Sequence, residues 1–252
     1  MNGVIYNVQI SFPTVEGMVQ SLLSLYGELL GMEPRNIGYW KLVHAGGELP
    51  EIGFENYFDD PPPRWPDPEH PQQMHLDVEV GDLDASEQTV LRLGATRLRD
   101  NGTFRIFADQ AGHPFCLYEN PARATLPGRL VRIVFDCYSP RALAGFYEEL
   151  FDMRTRVVDE PEYVVIARAE DDATGPMLAF QHARFPAARW PDPRYPEQLH
   201  LDITLDDEAA TTKIEALGGI RLRLESRPDS IFYADPAAHP FCVGIGPPPA
   251  RG

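Results

Sequence analysis

Two stretches decide the architecture: "RWPDPEHPQQMHLD" (Arg64–Asp77) and, 125 residues later, "RWPDPRYPEQLHLD" (Arg189–Asp202), identical at ten of fourteen positions. Other blocks repeat around them. "LYGELLGM" (Leu25–Met32) is echoed by "FYEELFDM" (Phe146–Met153) at an offset of 121. "FADQAGHPFC" (Phe107–Cys116) returns as "YADPAAHPFC" (Tyr233–Cys242) at 126, and "ATRLR" from Ala95 as "GIRLR" from Gly219 at 124. Blocks that recur in one order at nearly one offset describe a duplicated unit of about half the chain, too long a period for a solenoid. The expected organisation is two domains, 1–122 and 129–246, with a linker at 123–128 and a tail at 247–252.

Each half reads as two smaller units. Strand-like "VIYNVQIS" precedes a helix-like run through "MVQSLLSLYGELLGM", with further strands near "YWKLVHA" and "EIGFEN". After the proline-rich loop come a strand, "MHLDVEV", a helix, "DLDASEQTVLRLG", and strands at "ATRLR", "TFRIFA" and "PFCLYE". The order is βαβββ twice in each half. Asp82 suits a helix N-cap and Gly94 a helix stop. Side chains alternate across a strand. Met74, Leu76, Val78 and Val80 therefore face away from His75, Asp77 and Glu79, and Tyr6, Val8 and Ile10 away from Asn7, Gln9 and Ser11. The apolar parity belongs under helices. The polar parity predicts either a concave cleft or a solvated outer face.

Composition narrows the function. With 252 residues the chain can bury two ordinary cores. The net charge of −16 argues against sequence-independent nucleic-acid binding and against docking on anionic lipid. No apolar run reaches the ~20 residues needed to span a bilayer. The first ten residues lack the basic region of a secretory signal. Three cysteines without framework spacing fit a reduced, cytoplasmic protein, either a monomer or a homodimer, whose partner is a small molecule.

The paired βαβββ units, with "QMHLDVEVGDLDASEQTVLRLGA" and "FADQAGHPFCLYE", resemble the vicinal oxygen chelate superfamily, the glyoxalase/bleomycin-resistance/dioxygenase fold, over nearly the whole chain. The resemblance implies an α+β fold of tandem glyoxalase-like domains. Each would be paired βαβββ modules in a curved mixed sheet with helices outside. It does not fix the reaction, since the superfamily includes lyases, isomerases, ring-cleaving dioxygenases, thiol transferases and non-catalytic drug binders.

The resemblance also implies where ligands to a metal would come from: Asn7, Glu55, His75 and Cys116 in the first half, and Arg132, Gln181, His200 and Cys242 in the second. Arg132 cannot ligate and Gln181 is a weak ligand, so no transition metal is expected in the second half. In the first half, Asn7 is a poor zinc ligand and Cys116 stands where a carboxylate is usual. A divalent metal (Zn, Fe, Ni or Mn) held by Glu55, His75 and Cys116 belongs to domain 1 if to either. Glu55 and His75 are expected side by side as the candidate catalytic pair. Tyr118, Trp65 and Trp190 join the cleft, the two tryptophans as pocket rim or loop anchor. His75 and His200 either bond the proline-rich loop or meet a ligand and carry a proton. His113 and His239 read first as turn residues. Three functions follow. One is a binder of a small, partly aromatic metabolite, lacking a complete metal site. Another is an enzyme, either a metal-dependent lyase or dioxygenase or a metal-free proton-transfer catalyst using Glu55 or His75. The third is a regulatory domain with vestigial clefts.

Overall fold

The computed structural model describes residues 3–37, 40–46, 50–57, 67, 71–123, 127–169, 175–184, 192, 195–223 and 231–248. Four βαβββ modules follow one another. The first is β1 (Val4–Pro13), α1 (Met18–Leu30), β2 (Glu33–Ile37), β3 (Trp40–His44) and β4 (Glu51–Tyr57). The second is β5 (Met74–Val80), α2 (Leu83–Arg92), β6 (Thr96–Asp100), β7 (Phe104–Ala108) and β8 (Pro114–Glu119). The third is β9 (Arg129–Cys137), α3 (Pro140–Phe151), β10 (Thr155–Asp159), β11 (Tyr163–Ala167) and β12 (Met177–His182). The fourth is β13 (Leu199–Leu205), α4 (Ala209–Ala216), β14 (Ile220–Leu222), β15 (Ile231–Ala234) and β16 (Pro240–Ile245). Among the described residues, no helix is long and apolar enough to cross a membrane.

The helices form for local reasons. In α1, Leu22, Leu25, Tyr26 and Leu29 recur at three- and four-residue spacing and are all buried. Asp82 caps α2, its side chain accepting from the Ala85 N–H at 2.8 Å, and Gly94 follows the helix at φ 97°. The apolar strand parity packs beneath the helices as the alternation predicts, with Val8, Ile10, Met74, Val78 and Ile133 inaccessible to solvent. One cluster of buried apolar side chains runs through all four modules.

The pairing of modules departs from the sequence expectation. The two eight-stranded sheets have the orders β14-β15-β16-β13-β1-β4-β3-β2 and β10-β11-β12-β9-β5-β8-β7-β6. The first sheet thus unites the first and fourth modules, the second sheet the second and third. Neither repeat, 1–122 or 129–246, closes a sheet on itself. The join in each sheet is an antiparallel pair, β1 with β13 and β5 with β9. The reason is that all four modules open on the same strand pattern. Val8/Ile10, Leu76/Val78, Ile133/Phe135 and Leu201/Ile203 present equivalent edges, so alternation alone cannot choose a partner.

The crossed pairing explains the repeated stretch. Residues 58–73 carry the chain from β4 in the first sheet to β5 in the second, and residues 183–198 carry it back from β12 to β13. Both crossovers end in a glutamine, and the two clasp each other. Gln73 N–H donates to Gln198 Oε1 (2.9 Å) and Gln198 N–H to Gln73 Oε1 (3.2 Å). The Gln73 amide donates to the Pro196 carbonyl at 2.8 Å, and the Gln198 amide to that of Pro71 at 3.0 Å.

Fragments 1–122 and 129–246, produced separately, should therefore not fold as monomers, because each lacks half of both sheets. Mixed, they should recover a 1:1 complex with native far-ultraviolet circular dichroism and one cooperative unfolding transition. A monomeric 1–122 fragment that unfolds cooperatively on size-exclusion and denaturant analysis would contradict the crossed pairing.

Candidate functional site

Each sheet turns its helix-free face toward a set of polar side chains drawn from both halves of the sequence. Register makes the two faces comparable. Asn7 pairs with Glu51 and Ser11 with Glu55 on the first sheet, where Arg132 pairs with Met177 and Asp136 with Gln181 on the second. Asn7 faces Asp202 across the antiparallel join, as Arg132 faces Asp77.

The face of the first sheet is a closed polar network. His200 is 2% exposed and held at both ring nitrogens. Nδ1 donates to Glu197 Oε1 (2.5 Å) and Nε2 lies 3.2 Å from Asp202 Oδ1. Ser11 Oγ donates to the same Glu197 oxygen at 3.0 Å, and the Asn7 amide donates to Asp202 Oδ2 and Gln9 Oε1, both at 2.7 Å. Asn7 and Gln9 lie across Gly53. A Cβ at Gly53 would come within 2.1 Å of Gln9 Oε1 and 2.8 Å of Asn7 Nδ2, so the glycine makes room for these amides. Burial works against a charge on His200, but Glu197 and Asp202 outweigh it and raise its pKa well above the ordinary value.

The face of the second sheet is built differently on the same backbone. Arg132 Nε donates to Asp77 Oδ2 at 2.7 Å, and His75 Nε2 lies 3.4 Å from Asp77 Oδ1. His75 Nδ1 is buried without a hydrogen-bond partner. Burial opposes the His75 charge, yet Asp77 and Cys116 raise its pKa well above normal. Burial likewise opposes the Asp77 charge, yet His75 and Arg132 hold its pKa below the usual range. The guanidinium sits 4.6 Å from the centre of the Tyr118 ring, itself stacked with Phe104 at 4.9 Å. Asp136 accepts from the side-chain amides of Gln72 (2.9 Å) and Gln181 (2.6 Å). Burial raises its pKa despite these bonds. Between these polar groups lies a buried apolar cluster of Val134, Val165 and Ala179, with Val158, Tyr163 and Met177 half-buried against it.

Glu55 and His75 are not neighbours, which corrects the expected catalytic pair. Glu55 lies on β4 in the first sheet beside Ser11, whereas His75 lies on β5 in the second. The crossed pairing regroups the ligand positions as Asn7, Glu55, His200 and Cys242 on one sheet and Arg132, Gln181, His75 and Cys116 on the other. Tyr118 joins the second set. Trp65 and Trp190 lie outside the described residues. His113 and His239 are buried turn residues, tied to Asp109 at 3.3 Å and Asp235 at 2.9 Å. Sequence reasoning singled out neither Asp77 nor Asp202 as a site residue, although both stand in the repeated "HLD". It also overlooked Glu197, which replaces Gln72 at one of the four differences between the two stretches, and Asp136 and Tyr163. Tyr6 was placed with the apolar parity, but a bulge between Ile5 and Asn7 shifts it. Its hydroxyl pKa is raised by burial and by Asp202, Cys242 and Glu51 on the polar face.

Among the described residues, one group of three could hold a metal ion: His75, Asp77 and Cys116, whose ligand atoms lie within 4.8 Å of one another. It lacks Glu55.

The sequence model of a family described as "Glyoxalase-like domain" matches residues 17–118 and 132–244. The fold is similar to glyoxalase I from Zea mays, with TM-score 0.67 and 15% identity over 96% of this chain and 92% of that one. It is also similar to a putative dioxygenase from Bacillus subtilis, with TM-score 0.57 and 13% identity over 97% and 86%. At such identity the likeness concerns the fold alone. No curated protein sequence matches the chain.

The two clamped histidines set a pH dependence. Each takes up a proton more readily in the fold than in the unfolded chain. Their stabilisation is thus complete below the unfolded value of about 6.5 and is lost as pH rises through the raised folded value. Unfolding free energy measured in urea should fall on the alkaline side of neutrality. His200→Gln should cost about 3 kcal/mol near pH 6, where it removes the positive charge facing two buried carboxylates, and less at pH 9. An equal cost at both pH values would show that His200 is neutral in the fold.

Proposed function

Since this chain belongs to the glyoxalase-like domain family, we propose that it binds a small, partly aromatic metabolite on the helix-free face of the second sheet. The observation that carries this reading is the apolar cluster. At three matched positions the first sheet has Gln9, Glu51 and Gly53, and the second has Val134, Met177 and Ala179. Polar amides fill the first face, whereas the second has a buried apolar base covered by half-buried Met177 and Tyr163, beside half-buried Tyr118 and Arg132. Apolar lining with a few convergent polar groups is the usual make-up of a small-molecule site.

A metal-dependent lyase or dioxygenase is the second reading, favoured by the cluster of His75, Asp77 and Cys116. These residues do not fit a catalytic divalent cation. The Arg132 guanidinium already bonds Asp77, and a fixed positive charge there repels a second one. Burial raises the Cys116 pKa and so disfavours the thiolate that a metal needs. On the first sheet, carboxylates engage both nitrogens of His200, leaving no lone pair to give. Protein purified without chelator should carry substoichiometric Zn, Fe, Ni and Mn. A stoichiometric metal that His75→Ala removes would favour the second reading instead.

Val134→Gln tests the binding reading by copying Gln9 onto the second face. A thermal-shift panel of small aromatics should find compounds that stabilise the wild type, by ~2.7 kcal/mol at 100 times their dissociation constant. The variant should bind them about tenfold or more weakly while remaining folded. If no aromatic compound binds, or if Val134→Gln leaves binding intact, the ligand site is not on this face.

A further inference from the structure

We infer that the ligand of the second sheet carries a carboxylate, gripped by Arg132, while its apolar body lies against the half-buried Tyr163 and Met177, which cover the buried Val134, Val165 and Ala179. This rests on the preceding reading that the face binds a small molecule, and it adds the chemical class of that molecule.

The argument starts from the guanidinium. Arg132 spends its Nε on Asp77 and rests its π-face near Tyr118. Among the described residues, neither terminal nitrogen has a hydrogen-bond partner, and the side chain is 21% exposed rather than sealed. Among the described residues the end of the fork is therefore unpartnered, held in place by a carboxylate behind and an aromatic ring beside it. Two parallel N–H donors in a plane match the two oxygens of a carboxylate. Anchoring by Asp77 and Tyr118 means that little side-chain entropy remains to be lost on binding.

Comparison of the two faces shows that the opening is particular to this one. Opposite Arg132 on the neighbouring strand stands Met177, where the first sheet has Glu51 opposite Asn7. Had Met177 been a glutamate, it could itself pair with the arginine. Across the matched positions the first face carries Glu51, Glu55, Glu197 and Asp202. The second carries Asp77, already paired with Arg132, Asp136, which accepts from Gln72 and Gln181, and Glu79, which faces Arg129 at 3.8 Å. In a chain of net charge −16, this face places a half-buried arginine at the join of its two modules. One open arginine beside an aspartate matches a monoanion. A phosphate dianion would meet Asp77 with only one open fork to offset it.

Matched acid and amide pairs test this on the full-length protein: benzoate with benzamide, 4-hydroxyphenylacetate with its amide, and indole-3-acetate with its amide. Affinities come from calorimetry or from amide chemical-shift titration. At least one acid should bind tenfold or more tightly than its own amide. Arg132→Asn recreates the Asn7–Asp202 pair of the first face and should erase that preference. Met177→Glu copies Glu51, keeps the arginine, supplies an internal competitor, and should also erase it. It serves if Arg132→Asn does not fold. Equal binding of acid and amide would overturn the carboxylate inference yet leave the small-molecule site standing, as would a preference that survives both substitutions. Failure of every acid and amide to bind would overturn both.

Discussion

Everything on the two faces depends on the clasp between Gln73 and Gln198. These glutamines stand where the crossovers between sheets end, and each satisfies the other's backbone N–H with its side-chain oxygen. Buried backbone groups left unpaired cost about 1–3 kcal/mol each, so the exchange removes a penalty that neither sheet could avoid alone. The same residues accept from the strands on either side. The Gln73 carbonyl takes the Asp136 N–H at 3.0 Å and the Gln198 carbonyl the Ser11 N–H at 3.1 Å. The clasp thereby sets Ser11 beside Glu197 and Asp136 beside Gln72, the residues that differ most between the faces. Further ties hold the sheets together: Tyr26 of the first module donates to Asp109 of the second, and Tyr147 of the third to Asp235 of the fourth, both at 3.0 Å.

Given that frame, the two faces show how one backbone hosts two chemistries. On the first sheet the crossover supplies the carboxylate, Glu197, and the strand supplies a hydroxyl, Ser11. On the second the strand supplies the carboxylate, Asp136, and the crossover an amide, Gln72. The exchange decides the state of the neighbouring histidine. His200 has a carboxylate at each nitrogen, whereas His75 has Asp77 at one and no partner at the other. With Arg132 where the other join has Asn7, the face changes from one that consumes its polar groups internally to one whose arginine, among the described residues, leaves both terminal nitrogens unpartnered.

Much of this was legible in the sequence, for identifiable reasons. The repeat announced two copies, the strand alternation of "MHLDVEV" placed the core, and Asp82 and Gly94 bounded a helix. These signals are local, and local periodicity survives in the structure. The pairing of modules was not legible, because four opening strands carry the same alternation and nothing within a strand names its neighbour. The strand Glu33–Ile37 was also missed, since "EPRNI" has neither a clean alternation nor β-branched enrichment. The site inherited the pairing error. Glu55 and His75 were each assigned a suitable strand position, but on the assumption that sequence neighbours share a sheet.

The crossed topology has a consequence for how such a chain can diverge. Arg132 and Asp77, joined at 2.7 Å, come from different repeats, as do Asn7 and Asp202. Neither repeat can acquire a new site on its own, because every face takes half its residues from each copy. The buried end of Arg132 in the third module is satisfied by a carboxylate that the second module offers across the join. That carboxylate belongs to the "HLD" present in both copies, so both joins were prepared to receive a cation. Only one holds one, and its neighbouring strand has methionine where the other has glutamate. The asymmetry of the two faces is thus a property of pairs of residues across the module join rather than of either half.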